Sequence, residues 1–393
     1  MDNKWKWLFT GISYILVAVL TSVLTITLIL VFDVFPKFEK VQSSKLTYLE
    51  QLILERYIGG ADQKVIEDAA AQAMIEAMGD EWSYYIPKDR YEAYEQQTQN
   101  TYVGIGISVA IVQNVSGVEI RKVVENSPAA EAGLQVGDRI VGVDDKHSDD
   151  TPLDELVQLI AGEENTTVNL TILREGKQQT VTVTRRTLVS EVVGLQLLAG
   201  GVGLITIKNF NENCKDQAVA AIEELRMQGA KKLIFDVRYN PGGYVDELVP
   251  LLDYLLPEGV LFQTEDYAGN KDVKTSDASF LDMPMAVLVN QQSYSAAEFF
   301  AAALSEYEAA IVVGEQTYGK GYFQSVYKLP DGSAVGISIG KYYTPEGKNL
   351  AGVGITPDIA VPISQEESAA LKAGKLPPEE DVQLQAAIAA LSK

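Results

Sequence analysis

The chain is short of the residue types on which several common kinds of site depend. It contains one cysteine in 393 residues, which excludes an intramolecular disulfide and a cysteine metal cluster. Its single histidine, His147, excludes a two-histidine zinc site. Lysine and arginine number 32 against 54 acidic residues, and the formal net charge of -22 argues against nucleic acid as a partner. Because neither a disulfide nor a cysteine metal cluster is available, the fold must be stabilised by its apolar core alone.

One long uncharged run stands near the N-terminus. Residues 8–32 contain no charged side chain over 25 residues, whereas about 20 apolar residues span a bilayer. Lys4 and Lys6 precede this run, so the positive-inside rule predicts a cytoplasmic N-terminus, residues 1–7, and an extracytoplasmic location for everything after Asp33. The alternative is a cleaved signal peptide, whose apolar region usually has only ~7–15 residues. We expect a single-pass anchor in the cell membrane.

After the predicted anchor, the sequence pattern changes twice. Residues 43–99 carry apolar side chains at helical spacing and predict a small helical domain. Residues 100–187 contain short β-rich runs around two short helical stretches and predict one compact module. In residues 188–365, strand-like and helix-like runs alternate before a β-rich end, as in an α/β core, and residues 366–393 predict a C-terminal helical segment. The predicted fold class is a mixed α/β and β multidomain protein.

The presence of only one histidine also limits the kinds of catalysis that are available. A hydrolase with the usual triad needs a histidine to accept the proton of its nucleophile, and His147 lies in a separate module. A lysine could take that role if burial lowered its pKa from about 10.4. Lys320 follows an apolar strand-like run between two glycines, although taken alone it is typical of a surface lysine in a turn. Gln324 lies four residues on, where an extended strand would place its amide on the same face.

The candidate nucleophile is Ser295, at the junction between a strand-like run and a strongly apolar helix. Ser295 and Glu298 form an S-x-x-E capping box, so helix capping is an alternative role. The two roles are compatible, because the amides and the dipole of a helix N-terminus also stabilise an oxyanion. Ser293 is a neighbouring alternative hydroxyl.

A glycine-containing turn at residues 240–243, Asn-Pro-Gly-Gly, separates a predicted strand from the next helix. Backbone amides in such a turn can point at a substrate oxygen. The amide of Gly242 or Gly243, together with that of Ala296, would form an oxyanion hole. An ordinary strand-to-helix turn is the alternative interpretation.

Six phrases of the chain, taken in order, resemble the C-terminal processing peptidases, also called tail-specific proteases. They are MGDEWSYYIPKDRYEAYEQQT, DVRYNPGG, NQQSYSAAE, GEQTYGKGYFQ, YYTPEGKNLAGVGITPD and DVQLQAAI. The resemblance implies a serine endopeptidase that needs no metal or cofactor, with Ser295 as nucleophile, Lys320 as general base and Gln324 as the amide that orients the lysine. It also implies that Gly242 and Ala296 are the backbone oxyanion donors.

The module at residues 100–187 resembles a PDZ domain, and its most specific phrase is SPAAEAGLQVGDRIVGVD. The resemblance implies that an extended peptide adds a strand to this module and that one loop binds its C-terminal carboxylate. That loop consists of Gly104, Ile105, Gly106 and Ile107. The implied partners are protein substrates with accessible C-terminal tails, the membrane through the N-terminal helix, and a second copy of the chain in a homodimer.

Two rival functions stay open at this point. A membrane-tethered PDZ scaffold with an inactive core would have no reason to keep Ser295, Lys320 and Gln324 together. An enzyme of the signal-peptidase sort would also combine an anchor with serine and lysine, but it would not need a PDZ module. The family pattern itself is altered at Tyr294 and Ala297, which replace smaller or hydroxylated residues and bear on the shape of the pocket.

Overall fold

The computed structural model describes residues 13–14, 16–24, 44–112 and 116–392. Within the predicted anchor, the described residues are helical and exposed, and the rest of residues 8–32 lies outside the described part. None of the described helices has both the length and the apolar character needed to cross a bilayer.

Helices and strands follow one another along the described chain. The helices are α1 (Lys45–Arg56), α2 (Gln63–Glu76), α3 (Lys88–Thr98), α4 (Pro128–Glu131), α5 (Leu153–Ile160), α6 (Cys214–Met227), α7 (Val245–Leu255), α8 (Ala296–Glu306), α9 (Gln365–Lys372) and α10 (Val382–Ala390). The strands are β1 (Tyr84–Ile86), β2 (Thr101–Gly104), β3 (Ile107–Ile111), β4 (Val118–Val123), β5 (Arg139–Val143), β6 (Lys146–His147), β7 (Thr167–Arg174), β8 (Lys177–Thr184), β9 (Arg186–Val189), β10 (Val193–Leu198), β11 (Val202–Ile207), β12 (Lys232–Asp236), β13 (Gly259–Asp266), β14 (Lys271–Ser276), β15 (Met285–Val289), β16 (Ala310–Gly314), β17 (Tyr322–Lys328), β18 (Ala334–Tyr343) and β19 (Ile359–Ala360).

The chain divides into two compact units, residues 1–74 and 75–393. In the first unit, α1 begins after Ser44, whose hydroxyl accepts a hydrogen bond from the Thr47 N–H at 3.2 Å. No side chain of α1 or α2 is buried. The apolar side chains of this helix pair are therefore exposed or half-buried rather than enclosed in a core.

The second unit is built around a six-stranded sheet in the order β10-β11-β12-β15-β16-β19. Within this sheet, β11, β12, β15, β16 and β19 run parallel, whereas β10 is antiparallel to β11. Successive residues of a strand face opposite sides. In β12, Phe235 packs into the cluster that contains α6, α7 and α8, and Ile234 packs into a second cluster with Leu384 of α10. The predicted α/β alternation is confirmed, and helices cover both faces of the sheet.

A five-stranded antiparallel sheet joins parts of the chain that are far apart in sequence. Its order is β1-β18-β13-β14, with β17 paired to β18. Strand β1 lies inside residues 43–99, which the sequence predicts to be helical, and it pairs with the start of β18. The prediction was wrong there because a three-residue strand shows no periodicity of its own. A turn at residues 330–332 joins β17 to β18.

The module at residues 100–187 contains a sheet in the order β3-β4-β5-β7-β8, with β6 paired to β5. Its own apolar core includes Ile105, Ile120 and Leu170. Strands β2 and β9 pair antiparallel, so the chain enters and leaves the module side by side. In the part of the chain that the structure describes, β3 pairs only with β4 and leaves its other edge open.

Candidate active site

Three neighbouring parallel strands bring the predicted site residues together. Strands β12, β15 and β16 are adjacent, and the carboxyl ends of parallel strands meet at one edge of a sheet. The turn at residues 240–243 follows β12, Ser295 follows β15, and Lys320 follows β16. Gly242, Ser295, Lys320 and Gln324 line one cleft with a volume of about 920 Å³. Residues from separate phrases of the sequence thus share one cavity.

Ser295 occupies the sharp turn between β15 and α8. Its backbone has φ 57° and ψ -126°, a combination that residues with side chains rarely adopt and that costs about 1–3 kcal/mol. Only 5% of the residue is exposed, and α8 is buried from Ala296 to Leu304. A serine on a strained strand-to-helix turn, at the positive end of a helix, has the geometry of a hydrolase nucleophile.

The neighbouring hydroxyl of Ser293 has structural partners. It donates a hydrogen bond to the Val237 carbonyl at 2.8 Å and accepts one from the Asn290 N–H at 3.0 Å. The residue is completely buried. Ser293 therefore ties the end of β12 to the turn that follows β15, and this role distinguishes it from Ser295.

The turn after β12 lies directly against Ser295. Gly242 has φ 88°, and a Cβ atom added there would lie 2.8 Å from both the Ala296 nitrogen and the Ser295 Cβ. A side chain at this position is therefore excluded by conformation and by space. The Asn240 side chain shapes the turn, because its oxygen accepts the Gly242 N–H and its nitrogen donates to the Ile207 carbonyl, both at 2.8 Å.

A buried ion cluster around Arg238 lies next in sequence to the turn at residues 240–243. The Arg238 guanidinium donates to the carboxylates of Asp236 and Asp381, with closest distances of 2.7 Å to each, and to the Gln383 amide oxygen at 2.9 Å. Asp381 caps α10, where its carboxylate accepts the N–H groups of the first turn. The C-terminal helix is therefore joined to Arg238, two residues before the turn at residues 240–243. The sequence predicted α10 but not this contact.

Lys320 is held in a close-packed loop. Gly319 has φ 96°, and a Cβ atom on Gly321 would lie 2.5 Å from the Ala351 nitrogen. The amine Nζ lies 4.6 Å from the centre of the Trp82 ring. Burial lowers the pKa of Lys320 to about 8, against the opposing effects of nearby carboxylates. At this pKa roughly a tenth of the amine is neutral at pH 7, against less than about 0.1% for a lysine of ordinary pKa, so Lys320 can accept a proton as a general base must.

Gln324 lies in the same cleft, but its hydrogen bonds lead away from Lys320. The amide nitrogen donates to the Ser338 hydroxyl at 3.0 Å and to the Tyr322 carbonyl at 3.3 Å. The even spacing of Lys320 and Gln324 would place both side chains on one face only if residues 320–324 formed one extended segment. In the structure β17 begins only at Tyr322, and a bulge in the ladder brings Gln324 opposite Ser338.

Glu298 is the site residue whose role the sequence did not reveal beyond capping. One carboxylate oxygen accepts the Thr317 hydroxyl at 2.6 Å and the Gly319 N–H at 2.7 Å. The other accepts the N–H groups of Ser295 at 3.0 Å and Lys320 at 2.9 Å. Burial raises the pKa of Glu298, and these four hydrogen bonds oppose that effect. A carboxylate in the first turn of a strongly apolar helix was the available signal, because a buried charge requires such partners.

The predicted carboxylate-binding loop connects β2 to β3. Gly104 ends β2, Ile107 begins β3, and Ile105 is buried in the module core. Gly106 has φ 84°, and a Cβ atom there would lie 2.3 Å from the Ser127 Cβ. The loop therefore requires glycine at this position, and it adjoins the open edge of β3.

Residues 201–361 match the model of peptidase family S41, and residues 119–174 match that of the PDZ domain. A carboxyl-terminal-processing protease of a Synechocystis species is 32% identical over 326 residues, which cover 81% of this chain and 75% of that protein. The chain belongs to peptidase family S41. A Staphylococcus epidermidis protein named "Probable CtpA-like serine protease" is 28% identical over 362 residues, with coverage of 91% and 73%. A solved S41 protease structure from Bacteroides fragilis shares the fold, with 18% identity, coverage of 82% and 90%, and a TM-score of 0.50.

This S41 protein is a serine-type peptidase with a PDZ domain, and it belongs with the C-terminal processing proteases. The family prediction made from the ordered phrases is confirmed. The S41 match includes Gly242, Ser295, Lys320 and Gln324. It does not include Trp82, which contacts Lys320 from a segment before β1.

Proposed function

We propose that this S41 protein binds the free C-terminus of protein substrates through its PDZ domain and cleaves their tails with Ser295, Lys320 and Gln324. The observation that carries the proposal is the cleft shared by a strained serine at a helix N-terminus and a half-buried lysine of lowered pKa. A helix N-terminus favours a developing negative charge, and a depressed lysine pKa favours proton acceptance.

In the proposed reaction, neutral Lys320 accepts the hydroxyl proton of Ser295 as its Oγ attacks a peptide carbonyl. The backbone amides of Gly242 and Ala296 stabilise the oxyanion, which requires the Gly242 N–H to turn from Asn240 toward the substrate. The lysine then protonates the leaving amine, and water hydrolyses the acyl-enzyme. The Gln324 amide, bonded here to Ser338, would have to change partner to orient the amine directly.

The test is the rate at which a fluorophosphonate labels the full chain as a function of pH. We expect one adduct, at Ser295, and a labelling rate that rises about tenfold per pH unit below an apparent pKa of about 8 and levels off above it. The sign follows because only the neutral amine accepts a proton. An adduct at another serine, or no adduct at all, would contradict the proposal, and the second result would favour the inactive scaffold.

Recognition of the tail can be tested separately from the chemistry. We expect an unstructured polypeptide with an amidated C-terminus to be cleaved at least about tenfold less efficiently than the same polypeptide with a free carboxylate, because charge-assisted hydrogen bonds contribute about 1.5–3 kcal/mol. The open edge of β3 and the glycine loop beside it support this expectation. Equal cleavage of the two polypeptides would contradict a role for the PDZ domain in binding carboxylates.

We also propose that residues 8–32 anchor the protein in the cell membrane, with residues 1–7 in the cytoplasm and the peptidase outside. The uncharged run and the two lysines before it support this placement. Retention of the full chain in membranes after alkaline washing would test the anchor.

The exposed apolar side chains of α1 support a homodimer, which sedimentation of detergent-solubilised protein would test.

A further inference from the structure

Lys320 is covered by a side chain that comes from outside the residues matched to family S41. Its Nζ lies 4.6 Å from the centre of the Trp82 ring, whereas the family match begins at residue 201. Trp82 is two residues before β1, and the pairing of β1 with β18 holds this segment beside the cleft. An indole face stabilises an ammonium above it and also keeps water away from the amine.

Trp82 also contacts the two loops that carry the proposed nucleophile and base. Its ring centre lies 6.2 Å from that of Tyr294, which precedes Ser295, and 5.3 Å from that of Tyr318, which is two residues before Lys320. The two tyrosine rings are 5.7 Å apart. The three rings therefore form one aromatic group that joins this segment to both loops.

Asp80 is fixed in the same segment by hydrogen bonds. Its carboxylate accepts the Trp82 N–H at 3.2 Å and the Ser83 hydroxyl at 2.5 Å. The Ser83 oxygen in turn accepts the N–H of Ser338, whose hydroxyl accepts the Gln324 amide. Burial opposes ionisation of Asp80, but the hydrogen bonds it accepts hold its pKa below the ordinary value. Asp80 is therefore a fixed negative charge, connected through this chain of bonds to Gln324.

The groups around the Lys320 amine act in opposite directions. Burial lowers its pKa, whereas the carboxylates of Asp80 and Glu298 raise it. Of the tyrosines in the adjoining loops, burial raises the pKa of Tyr294, which is therefore neutral where the enzyme would act. The ring of Trp82 contributes to the burial, and Asp80, two residues before it, contributes an opposing charge.

We propose that Trp82 and Asp80 are positioning residues for the general base: Trp82 shields the Lys320 amine from water beside the cleft, and Asp80 supplies the charge that balances its protonated form. The inference rests on the proposed role of Lys320 as base. It extends the catalytic apparatus to a segment that precedes the PDZ domain in sequence.

The experiment compares the pH dependence of fluorophosphonate labelling at Ser295 in variants of the full chain. In Asp80→Asn we expect the rising limb to move to lower pH by roughly half a unit to one unit, because a charge that favours the ammonium is lost. In Trp82→Leu we expect it to move to higher pH by a similar amount, because burial outweighs the effects that favour the ammonium at this site, so hydration of the amine exceeds the loss of its contact with the indole. Trp82→Phe should keep the limb near its original position. The control is Glu81→Gln, a neighbouring exposed carboxylate, which should not move the limb.

Opposite shifts distinguish this role from general damage to the fold, which would lower the labelling rate without moving the limb. Unmoved limbs, or shifts in one common direction, would overturn the inference. The Lys320→Ala variant separates this failure from failure of the proposed function. If Lys320→Ala is labelled at the original rate, Lys320 is not the base and the proposed function fails. If its labelling is lost while the limbs of the other variants stay in place, only the role of Trp82 and Asp80 fails.

Discussion

We expect Ser295→Gly to abolish peptide hydrolysis while leaving the fold at least as stable as that of the original chain. Removing a nucleophile of this kind lowers kcat by about ten-thousandfold or more. The backbone at Ser295 has a positive φ, so glycine relieves strain of about 1–3 kcal/mol. Glycine loses about 0.5–1 kcal/mol through its greater freedom in the unfolded chain and a few tenths as a helix cap. Turnover of an unstructured tail and denaturant unfolding measure the two effects.

Two further variants make this prediction specific. Ser295→Ala should be equally inactive but less stable than Ser295→Gly by about 1 kcal/mol, because alanine retains the strained backbone. Ser305→Ala, near the end of the same helix, should keep its activity. Hydrolysis by the glycine variant would place the nucleophile elsewhere. An inactive glycine variant that is clearly destabilised would contradict the argument from strain.

The second large effect is expected for Glu298→Gln, which should reduce both stability and activity. A glutamine has one acceptor oxygen, so its NH₂ group would face two of the four donors now bound by the carboxylate. Each buried donor left without a partner costs about 1–3 kcal/mol, and we expect a loss of about 3 kcal/mol in the free energy of unfolding. Because the donors include the N–H groups of Ser295 and Lys320, both loops would shift, and kcat should fall by about a hundredfold or more.

A matched control separates this effect from a simple loss of charge. Glu308→Gln removes an exposed carboxylate just beyond the same helix, and it should change stability by no more than about 0.5 kcal/mol. Urea unfolding and steady-state turnover would be measured for both variants. Full activity in Glu298→Gln would show that the carboxylate does not position the two loops.

Much of the site could be predicted because its local signals are strong. Ser295 stands at a junction between an apolar strand and an apolar helix, and the turn at residues 240–243 combines proline with two glycines. Such signals depend only on residues close together in sequence, so they can be recognised without knowledge of tertiary contacts. The direction of the Gln324 side chain was not predictable in this way, since its partner depends on a bulge in pairing with β18.

Contacts between distant segments carried no comparable signal. Strand β1 has three residues, and its pairing with β18 is what holds Trp82 beside Lys320. Arg238 and Asp381 lie in phrases that give no indication of contact, yet their hydrogen bond of 2.7 Å joins the segment before the turn at residues 240–243 to the C-terminal helix. A carboxylate and a guanidinium pair when they are buried together, and only the packing of α10 on the sheet buries them together.

The sequence by itself determined the type of chemistry, because one histidine and one cysteine exclude the common alternatives and ordered phrases identify a serine peptidase with a PDZ domain. It also determined which strand ends carry the turn, Ser295 and Lys320. Only the tertiary structure decided that these strands are neighbours and that Glu298 holds two loops with one carboxylate. Only the structure placed Trp82 over the Lys320 amine. The physical reason is that strand order and burial arise from contacts across the whole chain, whereas propensity and spacing act within a few residues.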